Sequence, residues 1–242
     1  MSGSQYIALS GLRARADELD RIASDIANIG TAGYRGERQG RASAERPQFE
    51  ATLESAIDTT LGETRLDARE GAIAPTGRPL DLAIDGKGFF VIETSAGDRF
   101  TRNGHFTLDT ERRLVTEDGQ VVKGVDGPIV LGAREGELNV DADGSVWNGA
   151  TKAGQLAVVE FAEPSRMTRE QGTLLGAGGQ APVTASAAIV QSGSLEQSNV
   201  TVADRLAAMT SVSRGFEALQ KAISMLMNDV DGRAIDQFGR RS

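Results

Sequence analysis

Residues 80–124 read LDLAIDGKGFFVIETSAGDRFTRNGHFTLDTERRLVTEDGQVVKG, and this stretch decides the fold. Apolar residues return at every second position in short runs: LDLAI (80–84), GFFVIE (88–93), HFTLD (105–109), RLVTE (113–117) and QVVKG (120–124). A side-chain period of two belongs to a strand with one face covered. Between the runs stand Asp85-Gly86, Asn103-Gly104 and Asp118-Gly119, pairs that accept the positive φ of a tight hairpin turn. The pattern continues through PIVL (128–131), ELNV (137–140), SVWN (145–148) and QLAVVEF (155–161), punctuated by Asp126-Gly127 and Asp143-Gly144. It is weaker at TLLG (173–176) and AAIVQ (187–191). Short strands at this spacing predict an antiparallel sandwich or barrel.

On both sides of this region the period changes. Leu12, Leu19 and Ile26 are seven apart, and Ala8, Ile22 and Ile29 occupy a second seam that Arg15 interrupts. Near the other end Val202, Met209, Phe216, Ile223 and Val230 are seven apart. Val212, Leu219 and Leu226 form the second seam, interrupted by Arg205. This is the a/d pattern of a coiled-coil helix. Gly30 and Gly232 stand where each helix is expected to stop, and Thr201 with Asp204 reads as a helix start. A seam must be buried against something, and heptads this short are marginal alone in water. The two arms are therefore expected to pair with each other and with neighbouring chains, gaining full order on assembly. The expected assembly surface is Leu12, Leu19, Ile22, Ile26, Ile29, Met209, Val212, Phe216, Leu219, Ile223, Leu226 and Val230.

The fold class that follows is α+β: an all-β, antiparallel, sandwich- or barrel-like central domain inserted between N- and C-terminal coiled-coil-type helices. The expected domains are a discontinuous helical core of residues 1–34 with 197–242, a β domain of 71–196, and a polar connector over 35–70. The connector is expected to hold at most one short helix, near 50–61.

Composition narrows the function. The 242 residues hold 26 Lys and Arg against 34 Asp and Glu, a net charge of −8, which argues against a nucleic-acid partner that would need a basic footprint. The lack of cysteine removes disulfides, thiolate metal sites and Cys nucleophiles. The single histidine, His105, removes a multi-His metal site, and a Ser-His-Asp triad would have to use it. No apolar run approaches the roughly 18 residues of a membrane span, so no membrane insertion is expected. The opening MSGSQYIALSGLRARADELD lacks the basic and apolar regions of a cleavable leader, and none is expected.

Candidate chemistry is thin. Asp141-Ala142-Asp143-Gly144 lacks the third ligand and distal glutamate of a calcium loop. Gly86-Lys87-Gly88 lacks the Walker spacing. Both read as turns. The carboxylate pairs Asp81/Asp85 and Glu117/Asp118 would need a cleft to act on a glycan. Trp147, the one tryptophan, reads as a core or domain-interface anchor. No catalytic, cofactor-binding or metal-binding residue is assigned, no cofactor is expected, and the chain is read as a non-enzyme.

Four segments carry a family resemblance. SDIANIGTAGYRGER (24–38) resembles the N-terminal signature of flagellar basal-body rod and hook proteins, here Ala27, Asn28, Thr31, Gly33, Tyr34 and Arg35. TGRPLDLAIDGKGFFVI (76–92) is similar to the opening of that family's β domain, and residues 101–124 resemble its central hairpins. SGSLEQSNVTVADRLAAM (192–209) resembles its C-terminal signature, here Leu195, Glu196, Ser198, Asn199 and Val200. The short connector, TGRPLD and the C-terminal tail are most similar to the proximal rod protein.

The resemblance implies a structural subunit of the bacterial flagellar basal-body rod. It implies export by the flagellar type III apparatus and polymerisation with itself and other rod subunits into the hollow periplasmic shaft that carries torque from motor to hook. A distal-rod or hook-type axial protein is the alternative within the family. Outside it stand a peptidoglycan hydrolase using Asp81 or Asp85 and a trimeric coiled-coil fibre. Three positions depart from the family pattern: Asp25 where asparagine is usual, Arg112 where a turn glycine is usual, and Arg205-Leu206 where Glu-Met is common.

Overall fold

A computed structural model describes residues 3–39, 64–132 and 136–239. The expected helix near 50–61 lies outside them. The chain divides into two compact units, one of residues 1–27, 39–64 and 202–242, the other of 28–38 and 65–201.

The first unit holds two helices, α1 (Gly3–Ala27) and α2 (Val202–Gly239). They pair antiparallel: Gly11 faces Leu219, Arg15 faces Gly215 and Asp25 faces Arg205, so the numbering falls along one helix as it rises along the other. Gly11 permits the close approach, since a Cβ there would lie 3.3 Å from Leu219 Cδ2. Ala14, Ile22 and Val212 are buried in the unit.

Two expected helix ends shift. α1 stops at Ala27, because the Thr31 amide donates to the Asn28 carbonyl (3.1 Å) and the Tyr34 amide to the Thr31 carbonyl (3.3 Å), which turns the chain before Gly30. Ile29 therefore falls beyond the helix. α2 continues through Gly232 to Gly239. One interior glycine costs a helix about 1 kcal/mol, too little to end a run without proline.

The second unit is antiparallel β. Its largest sheet runs Thr168–Gln171, Leu174–Gly176, Gly97–Thr101, Phe89–Thr94, Val121–Gly124, Leu114–Thr116, Phe106–Leu108. Val158–Glu160 also pairs with Phe89–Thr94, and Val183–Thr184 pairs with Val158–Glu160. Leu138–Val140, Ser145–Asn148 and Thr151–Gln155 make a separate three-stranded sheet. Ile189–Ser192 pairs with Leu82–Asp85, and Ser194–Glu196 with Ile73–Pro75.

The run Phe89-Phe90-Val91-Ile92 explains the layering. Phe90 and Ile92 enter one cluster with Leu82, Phe106 and Leu114, while Phe89 and Val91 enter a second with Phe100, Phe161 and Leu175. The strand is buried on both faces, hence its unbroken apolar sequence. Edge-on contacts of Phe90 with Phe106 (5.1 Å) and Phe100 with Phe161 (4.8 Å) add roughly 0.5–1.5 kcal/mol each beyond area burial.

Several strands differ from expectation. The run 155–161 breaks at Leu156–Ala157 into Thr151–Gln155 and Val158–Glu160. Gly97–Thr101 and Thr168–Gln171 are strands of polar composition, held by pairing with apolar neighbours rather than by their own pattern. Trp147 does not anchor the core. It stands half-buried opposite Asn139 and Lys152, and its indole N–H donates to Asp141 Oδ2 (2.7 Å). The turn at 109–113 stays tight despite lacking glycine: Arg112 takes φ 60°, the one non-glycine residue with positive φ among the described residues.

Candidate functional site

The two signature segments meet inside the second unit, although more than 150 residues separate them in sequence. Gly33 donates its amide to the Glu196 carbonyl (2.7 Å), and Asn199 donates its amide to the Tyr34 carbonyl (3.2 Å). The Asn199 side chain accepts from the Gly36 amide (2.8 Å) and donates to the carbonyls of Asp67 (3.0 Å) and Arg69 (2.8 Å). Gly33 has φ 64°, and a Cβ on it would sit 2.2 Å from the Arg102 backbone, so the position needs glycine twice over.

Beneath this seam lies a buried ion cluster. Glu196 Oε1 is 2.7 Å from Arg35 Nη2 and accepts the Gly71 amide at 2.8 Å, and Oε2 accepts from Arg102 Nη1 at 3.1 Å. The three side chains are only 2–3% exposed. Arg102 also donates to the carbonyls of Ile84 (3.0 Å) and Gly86 (2.7 Å), with its guanidinium 5.2 Å from the Phe89 ring centroid. Burial holds both arginines below their ordinary pKa, and Glu196 opposes that pull. Two cations on one buried anion require this dense hydrogen bonding to stay in place.

Further contacts gather at Tyr34 and Asp67. Arg169 stacks 4.2 Å from its ring centroid, pairs with Glu37 (3.2 Å) and donates to the Arg35 carbonyl. Asp67 is bound by Arg69 and by Arg38 (2.7 Å). Burial raises its pKa, but the Arg69 hydrogen bonds and the two positive charges overcome that and leave it below the ordinary value.

Of the other signature residues, Val200 is buried, Leu195 pairs with Ala74, and the Ser198 hydroxyl accepts the Val200 amide (3.2 Å). Thr31 Oγ1 donates to the Asn28 side chain (3.2 Å). Ala27 is the exposed last residue of α1. Arg102, Asp67 and Arg169 belong to no quoted signature position, and sequence reasoning missed them as partners. Their types are ordinary, and only the topology brings them in.

In the helical unit the expected surface divides. Ile22 and Val212 are buried, while Leu12, Leu19, Ile26, Phe216, Leu219 and Ile223 are half-buried. Met209 is 39% exposed, in line with Leu206 (51%) and Val202 (50%). The side chains of Leu226 and Val230 lie outside the described residues.

The carboxylate candidates are otherwise occupied. Asp81 is buried with Oδ1 2.9 Å from His105 Nδ1, and Asp85 accepts from Gln191 (3.2 Å). Glu117 lies 3.2 Å from His105 Nε2. Asp143 caps its own turn through the Ser145 amide and hydroxyl, which hold its carboxyl below the ordinary pKa.

In sequence the antiparallel β unit lies between two helices that pair with each other. Residues 83–148 match the family described as flagellar hook protein FlgE/F/G D1 domain, and 191–230 match flagellar basal body rod FlgEFG protein C-terminal. The chain is 32% identical to the flagellar basal-body rod protein FlgF of Rhizobium meliloti and 29% to that of Caulobacter vibrioides. Each alignment covers 99% of both chains. It is 32% identical to the rod protein FlgG of Bacillus subtilis, over 93% of this chain and 95% of the relative. The chain belongs to the flagellar basal-body rod protein family, and its place is the flagellar basal body.

Proposed function

We propose that the chain is a structural subunit of the proximal rod, polymerising through α1 and α2 with itself and other rod subunits into the hollow torque-carrying shaft. The flagellar type III apparatus exports it to that site, and it has no catalytic role. One observation carries this reading. The α2 seam of Arg205, Val212 and Leu219 contributes the contact with Asp25, a buried valine and the contact with Gly11, whereas Val202, Leu206 and Met209 remain 39–51% exposed at positions i, i+4 and i+7. One stripe is spent within the chain. The other is left for a neighbouring helix in coiled-coil fashion, where its burial contributes about 25 cal/mol per Å² only when that neighbour is present. A contact of this kind whose rotation does not close builds a helical tube.

The test is a full-length chain carrying Leu206→Asp and Met209→Asp, supplied to cells that lack the native copy. Motility and rod completion are expected to fail while the circular dichroism of the purified chain stays unchanged. Normal basal bodies would overturn the reading.

A further inference from the structure

The second unit is built from two kinds of pairing. The hairpins of Phe89–Thr94 with Gly97–Thr101 and of Phe106–Leu108 with Leu114–Thr116 join neighbours in sequence. Residues 189–200 instead make strand pairings that reach back across more than 100 residues, beside one shorter-range bond from the Val190 amide to the Ala142 carbonyl (3.0 Å). Ile189–Ser192 zips onto Leu82–Asp85 and Ser194–Glu196 onto Ile73–Pro75. Gly193 accepts the amides of Thr76 (2.7 Å) and Gly77 (3.1 Å), and Gln197 donates its amide to Ala72 (2.8 Å). Long-range pairing costs loop-closure entropy that local hairpins do not, so it forms later.

The charges make closure all-or-none. Arg35 and Arg102 come from distant segments, and among the described residues Glu196 is the buried carboxylate that touches both. Before it arrives, Arg102 has only the half-exposed Glu70, 3.9 Å away, as an ion-pair partner, and burying the two guanidiniums side by side is costly. We propose that residues 189–200 are a strap that closes the β unit as its last folding step, and that insertion of Glu196 between Arg35 and Arg102 commits the closure. This inference does not depend on the assembly reading.

The test is pulse-labelled hydrogen exchange during refolding of the full-length protein. Amides of Phe89–Thr94 and Gly97–Thr101 are expected to gain protection first, and those of Gly33, Gly71, Gln197 and Asn199 together in a later phase. A single common phase, or earlier protection at Gln197, overturns the proposal. In the native state, Glu196→Gln is expected to raise exchange at Gly33, Gly71 and Gln197 roughly hundredfold, and Asn199→Ala roughly tenfold, with little change in Phe89–Thr94. An equal rise everywhere, or none at the strap, also overturns it. Should Glu196→Gln fail to fold, the refolding experiment on the unaltered protein decides.

Discussion

Asp25 and Arg205 stand 3.1 Å apart across the helix pair, the carboxylate 1% and the guanidinium 17% exposed. Arg205 interrupts an apolar seam in sequence, and in the structure that break is answered by Asp25 on the facing helix. Removing one buried member of such a pair costs about 3–5 kcal/mol, while an apolar pair in its place is often neutral. Asp25→Ala is expected to lower helix stability by that order, and Asp25→Leu with Arg205→Leu to restore most of it. Urea titration followed by far-ultraviolet circular dichroism measures both.

Gly33 and Gly119 both have positive φ, but only Gly33 is crowded by backbone. Gly119→Ala meets open space and is expected to cost about 1 kcal/mol of strain. Gly33→Ala adds a backbone clash and is expected to exceed about 3 kcal/mol, among the severe single changes. Thermal denaturation of the two variants side by side separates strain from collision.

At Arg112 the left-handed backbone is already tolerated, aided by its Nε donating to the Leu131 carbonyl (3.1 Å). Arg112→Val is expected to destabilise by about 2 kcal/mol, because a β-branched residue is least compatible with that φ. Arg112→Gly is expected to stay within about 1 kcal/mol of the parent, trading strain for chain entropy. Denaturant midpoints of both variants test this.

Asp67 has a folded pKa below its unfolded value of about 3.9. Its contribution to stability is complete above that unfolded value and is lost as pH falls through the lower folded one. Asp67→Asn is therefore expected to flatten the acid limb of the stability curve below about pH 4. Unfolding free energies measured at pH 6 and pH 3 show whether the slope changes.

The alternating runs and Gly turns made the central sheet legible, because a strand with one covered face writes its period into its side chains. Phe89–Thr94 falls within the expected run 88–93, but burial on both faces makes it an unbroken apolar stretch rather than an alternating one. Gly97–Thr101 was hidden because GDRFT takes its place from its neighbours. Asn103-Gly104 read as a hairpin turn, yet Gly104 has no positive φ. Its glycine is required because a Cβ would lie 1.7 Å from the Leu82 carbonyl oxygen, a collision no local pattern reveals. Arg35, Arg102 and Glu196 cannot be joined from sequence, since nothing local links residues so far apart. The same holds for Arg205, a break in the seam whose partner is the distant Asp25, whereas the break at Arg15 is answered locally by Glu18 one turn on (2.9 Å).

Because Gly33, Arg35 and Glu196 are sealed inside the β unit, the two segments read in sequence as signatures form a joint within one molecule. Variation there is policed by stereochemistry, whatever subunit lies next door. On the proposed assembly reading, determinants that let one axial protein distinguish another belong on the exposed stripe of Val202, Leu206 and Met209, where a substitution leaves the weld intact.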